Sequence, residues 1–135
     1  MKYLLDVNAL VALGVLQHEF HQRLALWVSR VRLDGSVQLA TCSITELGFV
    51  RILAQASQYG FTIGHARSLL LALKGGRSPK FTFITDDQDV SRLPGWVKTP
   101  RQTTDGHLAQ LAKANGAVLA TLDARIPGAF LVPER

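Results

Sequence analysis

The sequence is poor in the residues that cross-link small proteins, since Cys42 is the only cysteine among 135 residues. A single cysteine excludes an internal disulfide and a cysteine-rich zinc site, and it fits a reducing compartment. Long apolar runs are also missing, because Asp6 and Asn8 interrupt the N-terminal one and residues 9–16 are too few to cross a bilayer. We therefore expect a cytoplasmic protein that does not associate with membranes.

Low-complexity tracts are absent as well, and 47% of the residues are hydrophobic against 19% charged, as in a folded globular protein. A chain of this length can bury a core without disulfides, so we expect a single domain over residues 1–135. The net charge of +5 is a weak indication of an anionic partner such as nucleic acid, because the basic residues are scattered along the chain.

Short apolar segments alternate with helical patterns along the chain. The patterns predict strands at residues 2–5, 38–41, 81–84 and 118–121, and helices from about residue 8 and at residues 21–33, 43–55, 64–74 and 104–115. This alternation predicts a mainly parallel sheet with helices on both faces, which is a three-layer α/β/α sandwich. In such sheets ligands bind beyond the carboxyl ends of the strands, where the strand order reverses.

Four acidic residues stand at or near these predicted strand ends, namely Asp6, Glu46, Asp105 and Asp123. Each has a structural explanation when it is taken alone, as a helix cap, part of a capping box, a partner of the helix dipole or a turn residue. Carboxylates that converge at one edge of a sheet repel each other unless a cation binds, so the four together favour a metal site. Oxygen ligands without cysteine suit Mg²⁺ or Mn²⁺ rather than zinc.

Four short segments, in this order, resemble the motifs of PIN-domain ribonucleases of the VapC toxin family. They are LDVNAL at residues 5–10, SITEL at residues 43–47 with Arg51, TDGHL at residues 104–108 and TLD at residues 121–123. The resemblance extends over nearly the whole chain and implies a PIN-like fold. It also implies that Asp6, Glu46, Asp105 and Asp123 hold one or two divalent cations, and that Asn8 and Thr121 steady those carboxylates.

The activity implied by the resemblance is Mg²⁺-dependent (or Mn²⁺-dependent) endoribonucleolytic cleavage of RNA, in which activated water attacks phosphorus in line. Glu46 would position or deprotonate that water, and Arg51 is a candidate for contact with the RNA. The resemblance further implies an antitoxin protein as partner, bound in a groove between helices, and a homodimer.

Three other interpretations use the same acids. A haloacid-dehalogenase-like phosphatase needs a second aspartate two residues after Asp6, where Asn8 stands. A response-regulator receiver, which the adjacent Asp86 and Asp87 suggest, also needs a paired acid near Asp6 and a late lysine at a strand end, and both are missing. A PIN-like interaction module without catalysis stays open.

Two further groups of polar residues are given structural roles. Asp86, Asp87 and Asp89 lie outside the four segments, and we interpret them as turn and cap residues. His18 and His21 have no evident third metal ligand, so we expect them at the surface or in packing contacts.

Overall fold

The computed structural model describes residues 1–135, which form five strands and five helices. The strands are β1 (Lys2–Leu5), β2 (Gln38–Cys42), β3 (Lys80–Ile84), β4 (Val118–Thr121) and β5 (Phe130–Leu131). The helices are α1 (Val7–Gly14), α2 (His21–Val31), α3 (Ser43–Gln55), α4 (Ile63–Lys74) and α5 (Thr103–Ala114). All the predicted strands and helices are present, and their ends agree with the predictions to within about two residues.

The five strands form one parallel sheet in the order β3-β2-β1-β4-β5. The chain moves outwards from β1 to β2 and β3, then crosses back past β1 to β4 and β5. The strand order therefore reverses between β1 and β4, where Leu4 lies opposite Leu119. In an open α/β sheet this reversal leaves a crevice at the carboxyl ends of the two strands.

Helices cover both faces of the sheet because successive strand residues point to opposite sides. On one face, residues of α1, α2, α3 and α4 pack against Leu5, Leu39 and Ala120. On the other face, residues of α5 pack against Leu4, Ala40 and Leu119. The predicted three-layer α/β/α sandwich is thus confirmed. None of the helices combines the length and the hydropathy that crossing a membrane would need.

Two helices begin directly after a strand, which brings their first turns to the carboxyl edge of the sheet. Asp6 caps α1 by accepting a hydrogen bond of 2.8 Å from the backbone N–H of Ala9. At the start of α3, the hydroxyl of Thr45 accepts from the backbone N–H of Cys42 at 3.0 Å. The capping-box role considered for Glu46 in the sequence belongs to Thr45 instead, since the helix begins one residue earlier than that motif requires. Glu46 is left available for other contacts.

The edge strand β5 was not predicted. It has two residues and follows Pro127 and Gly128, so it is too short to show an alternating pattern. Phe130 nevertheless packs its ring against Tyr3 and Trp27, with ring centroids 5.0 and 5.4 Å away. These aromatic contacts hold the C-terminal segment against the sheet and α2.

Helices α1 and α3 approach closely at Gly48. A Cβ atom at this position would lie 2.7 Å from Cγ2 of Val7, which is closer than van der Waals contact allows. Val7 is the first residue of α1 and follows Asp6, whereas Gly48 lies two residues after Glu46. The absence of a side chain at Gly48 therefore sets the spacing between the two helices that carry these acids.

We expect Gly48→Ala to lower the free energy of unfolding by about 1–3 kcal/mol, because the added methyl group overpacks against Val7. This net loss already includes the gain of about 1 kcal/mol that alanine gives over glycine inside a helix. Urea unfolding followed by circular dichroism measures the difference.

Gly64→Ala is the matched control, because a Cβ atom there meets nothing within 4 Å and Gly64 also lies in a helix. It should leave stability unchanged or raise it slightly. A Val7→Ala change should remove most of the effect of Gly48→Ala in the double variant. An equal loss in both backgrounds would show that Val7 is not the cause.

Candidate active site

The crevice between β1 and β4 contains a buried carboxylate. Asp6 follows β1 and is only 6% exposed. The hydroxyl of Thr121, the last residue of β4, donates to Oδ2 of Asp6 at 2.5 Å. The same hydroxyl accepts a hydrogen bond of 2.9 Å from the backbone N–H of Asp123. Thr121 thus links two of the four predicted acids and fixes the orientation of Asp6.

Asp105 and Asp123 lie close enough to Asp6 for their charges to affect its ionisation. Burial raises the pKa of Asp6 to about 6, and the charges of Asp105 and Asp123 add to this shift. The hydrogen bonds from Thr121 and Ala9 oppose it. Burial also raises the pKa of Asp105, with a further contribution from Asp123. The crevice therefore brings together three of the four acids in one field of negative charge.

Asp123 is paired with an arginine of its own loop. Arg125 donates through Nε and Nη2 to the two carboxylate oxygens at 3.0 and 3.1 Å. These side-chain hydrogen bonds, with one from the backbone of Arg125, hold the pKa of Asp123 below its ordinary value. The Arg125 side chain is 90% exposed, so it can move away from Asp123 at little cost in free energy.

Glu46 has two partners that the sequence did not reveal. The hydroxyl of Thr41, in β2, donates to Oε2 of Glu46 at 2.5 Å, and the ammonium group of Lys74 forms an ion pair with the same oxygen. Lys74 is the last residue of α4 and lies 5.3 Å from the centre of the Phe83 ring. It is 28 residues from Glu46 in the chain, so no local pattern could indicate the pair.

Asp86, Asp87 and Asp89, which are interpreted from the sequence as turn and cap residues, lie after β3. Asp86 and Asp89 accept hydrogen bonds from backbone N–H groups two residues further on, as expected of turn residues. Asp86 also pairs with Nε2 of His107 at 2.5 Å, a contact that the sequence did not predict. Although burial opposes it, this hydrogen bond holds the pKa of Asp86 below its ordinary value. The pair connects the end of β3 to α5.

Two cavities adjoin the acids. The larger, of about 590 Å³, extends from Asp6 and Asp123 to the loop between α1 and α2. Asn8 lines it, is exposed and forms no side-chain hydrogen bond, so in this structure it does not steady a carboxylate as the resemblance implied. A cavity of about 330 Å³ lies between Asp105 and Arg101. The side chains of Asp123 and Arg125 line both cavities, so they separate the two.

Arg51 lies on a different surface. It lines an apolar groove on the outer side of α3 with Leu47, Val50 and Ile63. None of the four acids lines this groove. The contact of Arg51 with RNA stays a prediction of the sequence, and it would be made outside the two acidic cavities.

The acids do not form a closed ligand set, since no three carboxylate, imidazole or thiol groups are grouped closely enough to hold a metal ion. Glu46 and Asp123 are instead paired with Lys74 and Arg125. Asp6, Asp105 and Asp123 offer only carboxylate oxygens, and the negative charges of Asp105 and Asp123 help raise the pKa of Asp6, so the three still fit a hard divalent cation. Such a cation would replace the positive charge that Lys74 and Arg125 supply.

The raised pKa of Asp6 gives a prediction for stability. The folded protein binds this proton up to about pH 6, whereas an ordinary aspartate loses it near 3.8. The free energy of unfolding should therefore fall as the pH rises between these values, and the penalty should be complete above pH 6. A shift of this size corresponds to about 3 kcal/mol.

Asp6→Asn should remove this penalty, because the amide can accept from Ala9 and donate to Thr121 without carrying charge. In urea unfolding with EDTA, we expect the variant to be as stable as the wild type at pH 4 and more stable at pH 7. Thr121→Val, which removes the opposing hydrogen bond, should be less stable than the wild type at pH 7. An Asp6→Asn protein that is less stable than the wild type at pH 7 would contradict the assignment of Asp6 as a strained carboxylate.

Similar proteins were found by comparison of both sequence and structure. No protein-family model matches the chain. Ribonuclease VapC38 of Mycobacterium tuberculosis is 39% identical over 91% of this chain and 86% of that protein. Ribonuclease VapC44 of the same organism is 33% identical over 93% of this chain and 89% of that protein.

A solved structure has the same fold at low sequence identity. It is the VapBC2 complex from Rickettsia felis bound to a DNA fragment from its promoter, and the matched chain superposes with a TM-score of 0.65 at 17% identity. The match covers 97% of both chains, which supports the PIN-like sandwich expected from the sequence motifs. The sequence relatives decide the family, since they are more than 30% identical over most of their length. This chain belongs to the VapC ribonuclease family.

Proposed function

We propose that this protein is a divalent-metal-dependent endoribonuclease that acts as the toxin of a toxin–antitoxin pair. The observation that carries the proposal is the buried Asp6 carboxylate, whose pKa is raised to about 6 in the field of Asp105 and Asp123. Membership of a family of ribonucleases supports RNA as the substrate. The VapBC2 complex supports an antitoxin as the partner.

The cation, which we propose to be Mg²⁺ or Mn²⁺, would draw Asp105 and Asp123 towards Asp6, because the three carboxylates are not grouped closely enough to hold it as they stand, and Glu46 would complete the set. When bound, the cation supplies a Lewis acid that lowers the pKa of water and offsets the negative charge developing on the phosphate. Thr121 keeps Asp6 oriented through its hydrogen bond to Oδ2. Asn8, in the wall of the same cavity, is placed to contact substrate or water rather than another side chain.

Glu46 and Lys74 have complementary roles in this proposal. With the ammonium group of Lys74 on Oε2, Glu46 cannot use that oxygen to accept a proton from water. A phosphate group entering the site would attract Lys74 and release the carboxylate. Glu46 is then free to position or deprotonate the water that attacks phosphorus. Arg125 can move from Asp123 to the phosphate in the same way, because its side chain is exposed.

The antitoxin and a second copy of this chain are proposed as protein partners. The groove lined by Leu47, Val50 and Ile63 is mostly apolar, and Leu47 and Ile63 are largely exposed. A partner that covers these side chains would gain hydrophobic stabilisation.

We expect Asp6→Asn, Glu46→Gln and Asp105→Asn each to reduce cleavage of single-stranded RNA by at least about a hundredfold, since each removes a charge needed at the reacting phosphate. Asp123→Asn should cause a smaller loss, because Arg125 already neutralises much of its charge. Initial rates of cleavage of a fluorescently labelled RNA with Mg²⁺ or Mn²⁺ provide the measurement.

Asp87→Asn is the matched control, because Asp87 is an aspartate of a turn whose only side-chain hydrogen bond is with Gln88. It should cleave RNA at the wild-type rate. If the three variants at the acids stayed active, the proposed site would be wrong. If the wild type bound metal but did not cleave any RNA, the chain would be a PIN-like interaction module.

Divalent cation should stabilise the folded protein, since binding relieves repulsion that exists only in the native state. A concentration one hundred times the dissociation constant corresponds to about 2.7 kcal/mol, which raises the melting temperature by several degrees. Differential scanning calorimetry with MgCl₂ or MnCl₂, against NaCl of equal ionic strength, measures this shift. The shift should disappear in the Asp6→Asn/Asp105→Asn double variant, and its persistence there would place the metal elsewhere.

A further inference from the structure

The loop between α1 and α2 forms the far wall of the larger acidic cavity. His18, Glu19 and Phe20 line the cavity at one end, and Asp6 and Asp123 line it at the other. The loop leads into α2 near the carboxyl edge of the sheet, where Val132 follows β5. The first turn of α2 is held there by Arg23, whose Nε donates to the carbonyl oxygen of Val132 at 2.9 Å.

The two rings of this loop are fixed but are not part of the core. The backbone N–H of Phe20 donates to Nδ1 of His18 at 3.0 Å, and the ring centroids are 5.8 Å apart. The guanidinium group of Arg23 lies 5.9 Å from the centre of the Phe20 ring. Phe20 is 38% exposed and belongs to neither hydrophobic cluster. An aromatic surface held in this way loses little conformational freedom when a ligand packs on it.

The hydrogen bond to His18 determines which ring nitrogen carries the proton. Because Nδ1 accepts from the backbone, the neutral ring carries its proton on Nε2. Burial lowers the pKa of His18, which favours this neutral form. The loop therefore presents a hydrogen-bond donor at Nε2 and, in Glu19, an acceptor carboxylate next to the Phe20 ring.

The charges of the cavity favour an uncharged group at this end. Asp6, Glu19 and Asp123 are acidic, and Arg125 is the only basic side chain in the lining apart from His18. A phosphate beside Glu19 would be repelled, whereas a nucleobase is neutral, flat and able to hydrogen-bond along its edge. The volume of about 590 Å³ is within the range of small-molecule pockets.

We propose that His18 and Phe20 form a stacking subsite for one nucleobase of the RNA whose phosphate backbone reaches Asp6 and Asp123. This inference rests on the proposed function and names where the substrate is held. The base stacks on the ring of Phe20, and its edge meets Nε2 of His18 and the carboxylate of Glu19. The subsite accepts single-stranded RNA, because a base inside a duplex cannot leave its stack without loss of pairing.

The test compares Phe20→Leu, Phe20→Tyr and His18→Gln with the wild type in steady-state cleavage of a single-stranded oligoribonucleotide with Mn²⁺. We expect Phe20→Leu to raise KM about tenfold with kcat changed less than twofold, which is the effect of losing one stacked base. Phe20→Tyr should retain the wild-type KM, since it keeps the aromatic face. His18→Gln should raise KM by a smaller factor.

Phe61 and His65 provide a matched control pair. Their rings are stacked with centroids 4.3 Å apart, and they lie at the start of α4, at the opposite end of that helix from Lys74. Phe61→Leu and His65→Gln should leave KM unchanged. The melting temperature of each variant shows whether it folds.

A binding measurement distinguishes failure of this subsite from failure of the proposed nuclease. Fluorescence anisotropy with Asp105→Asn protein measures binding of the same oligoribonucleotide and of an abasic oligomer with equal phosphate content. Phe20→Leu should weaken binding of the oligoribonucleotide about tenfold and leave the affinity for the abasic oligomer unchanged. Equal affinities for the two oligomers, or an equal loss for both, would overturn the stacking subsite even if the wild type cleaves RNA. A wild type without cleavage would overturn the nuclease, while the anisotropy result would still decide whether a base is bound.

Discussion

The arrangement of this protein depends on one buried carboxylate at the switch point of a parallel sheet. Asp6 serves two purposes that conflict, because its side chain caps α1 and its negative charge lies in a crevice with Asp105 and Asp123. The cap favours an ionised oxygen, whereas burial and the neighbouring charges favour the protonated form. Folding tolerates this conflict because the apolar packing on both faces of the sheet is extensive. The stored repulsion is what a divalent cation would relieve.

Two basic side chains pair with two of the four acids from within the chain. Lys74 approaches Glu46 from the end of α4, and Arg125 approaches Asp123 from the loop after β4. Arg125 lines both acidic cavities, whereas Lys74 and Glu46 line neither, and neither basic side chain pairs with Asp6. The protein can therefore fold with its outer acids neutralised while its central acid stays without a counter-ion. Arg125 is exposed, so its pair with Asp123 contributes little to stability and can be exchanged for a metal or a phosphate without loss of the fold, whereas the Lys74–Glu46 pair is partly buried.

Most of the fold could be predicted from the sequence because it is encoded in local patterns. The alternation of short apolar strands with helices gave the parallel sandwich, and the positions of Asp6 and Asp123 after β1 and β4 placed them in the crevice. Patterns of this kind do not show contacts between distant residues. The pair Lys74–Glu46 joins residues 28 apart, and the strand β5 is too short to alternate.

The first turn of α3 shows a second limit of sequence patterns. The segment from Ser43 to Glu46 matches a capping box by residue type, yet the helix begins so that Thr45 takes this role. A difference of one residue in the helix start decides whether the Glu46 carboxylate closes a capping box or is available for other contacts. The ends of helices and strands are the least predictable part of a fold. The candidate acids of this protein lie at or near such ends, so their contacts are hard to predict from the sequence.

The contact between Arg23 and Val132 has a practical consequence for handling the protein. It fixes the last strand residues beside the loop of His18 and Phe20, so that residues 133–135 leave the domain next to the mouth of the acidic cavity. Met1 precedes β1 and lies at the opposite edge of the sheet. An affinity tag or fluorescent protein fused after Arg135 would crowd the entrance to the carboxylates, whereas the same tag fused before Met1 would leave it open.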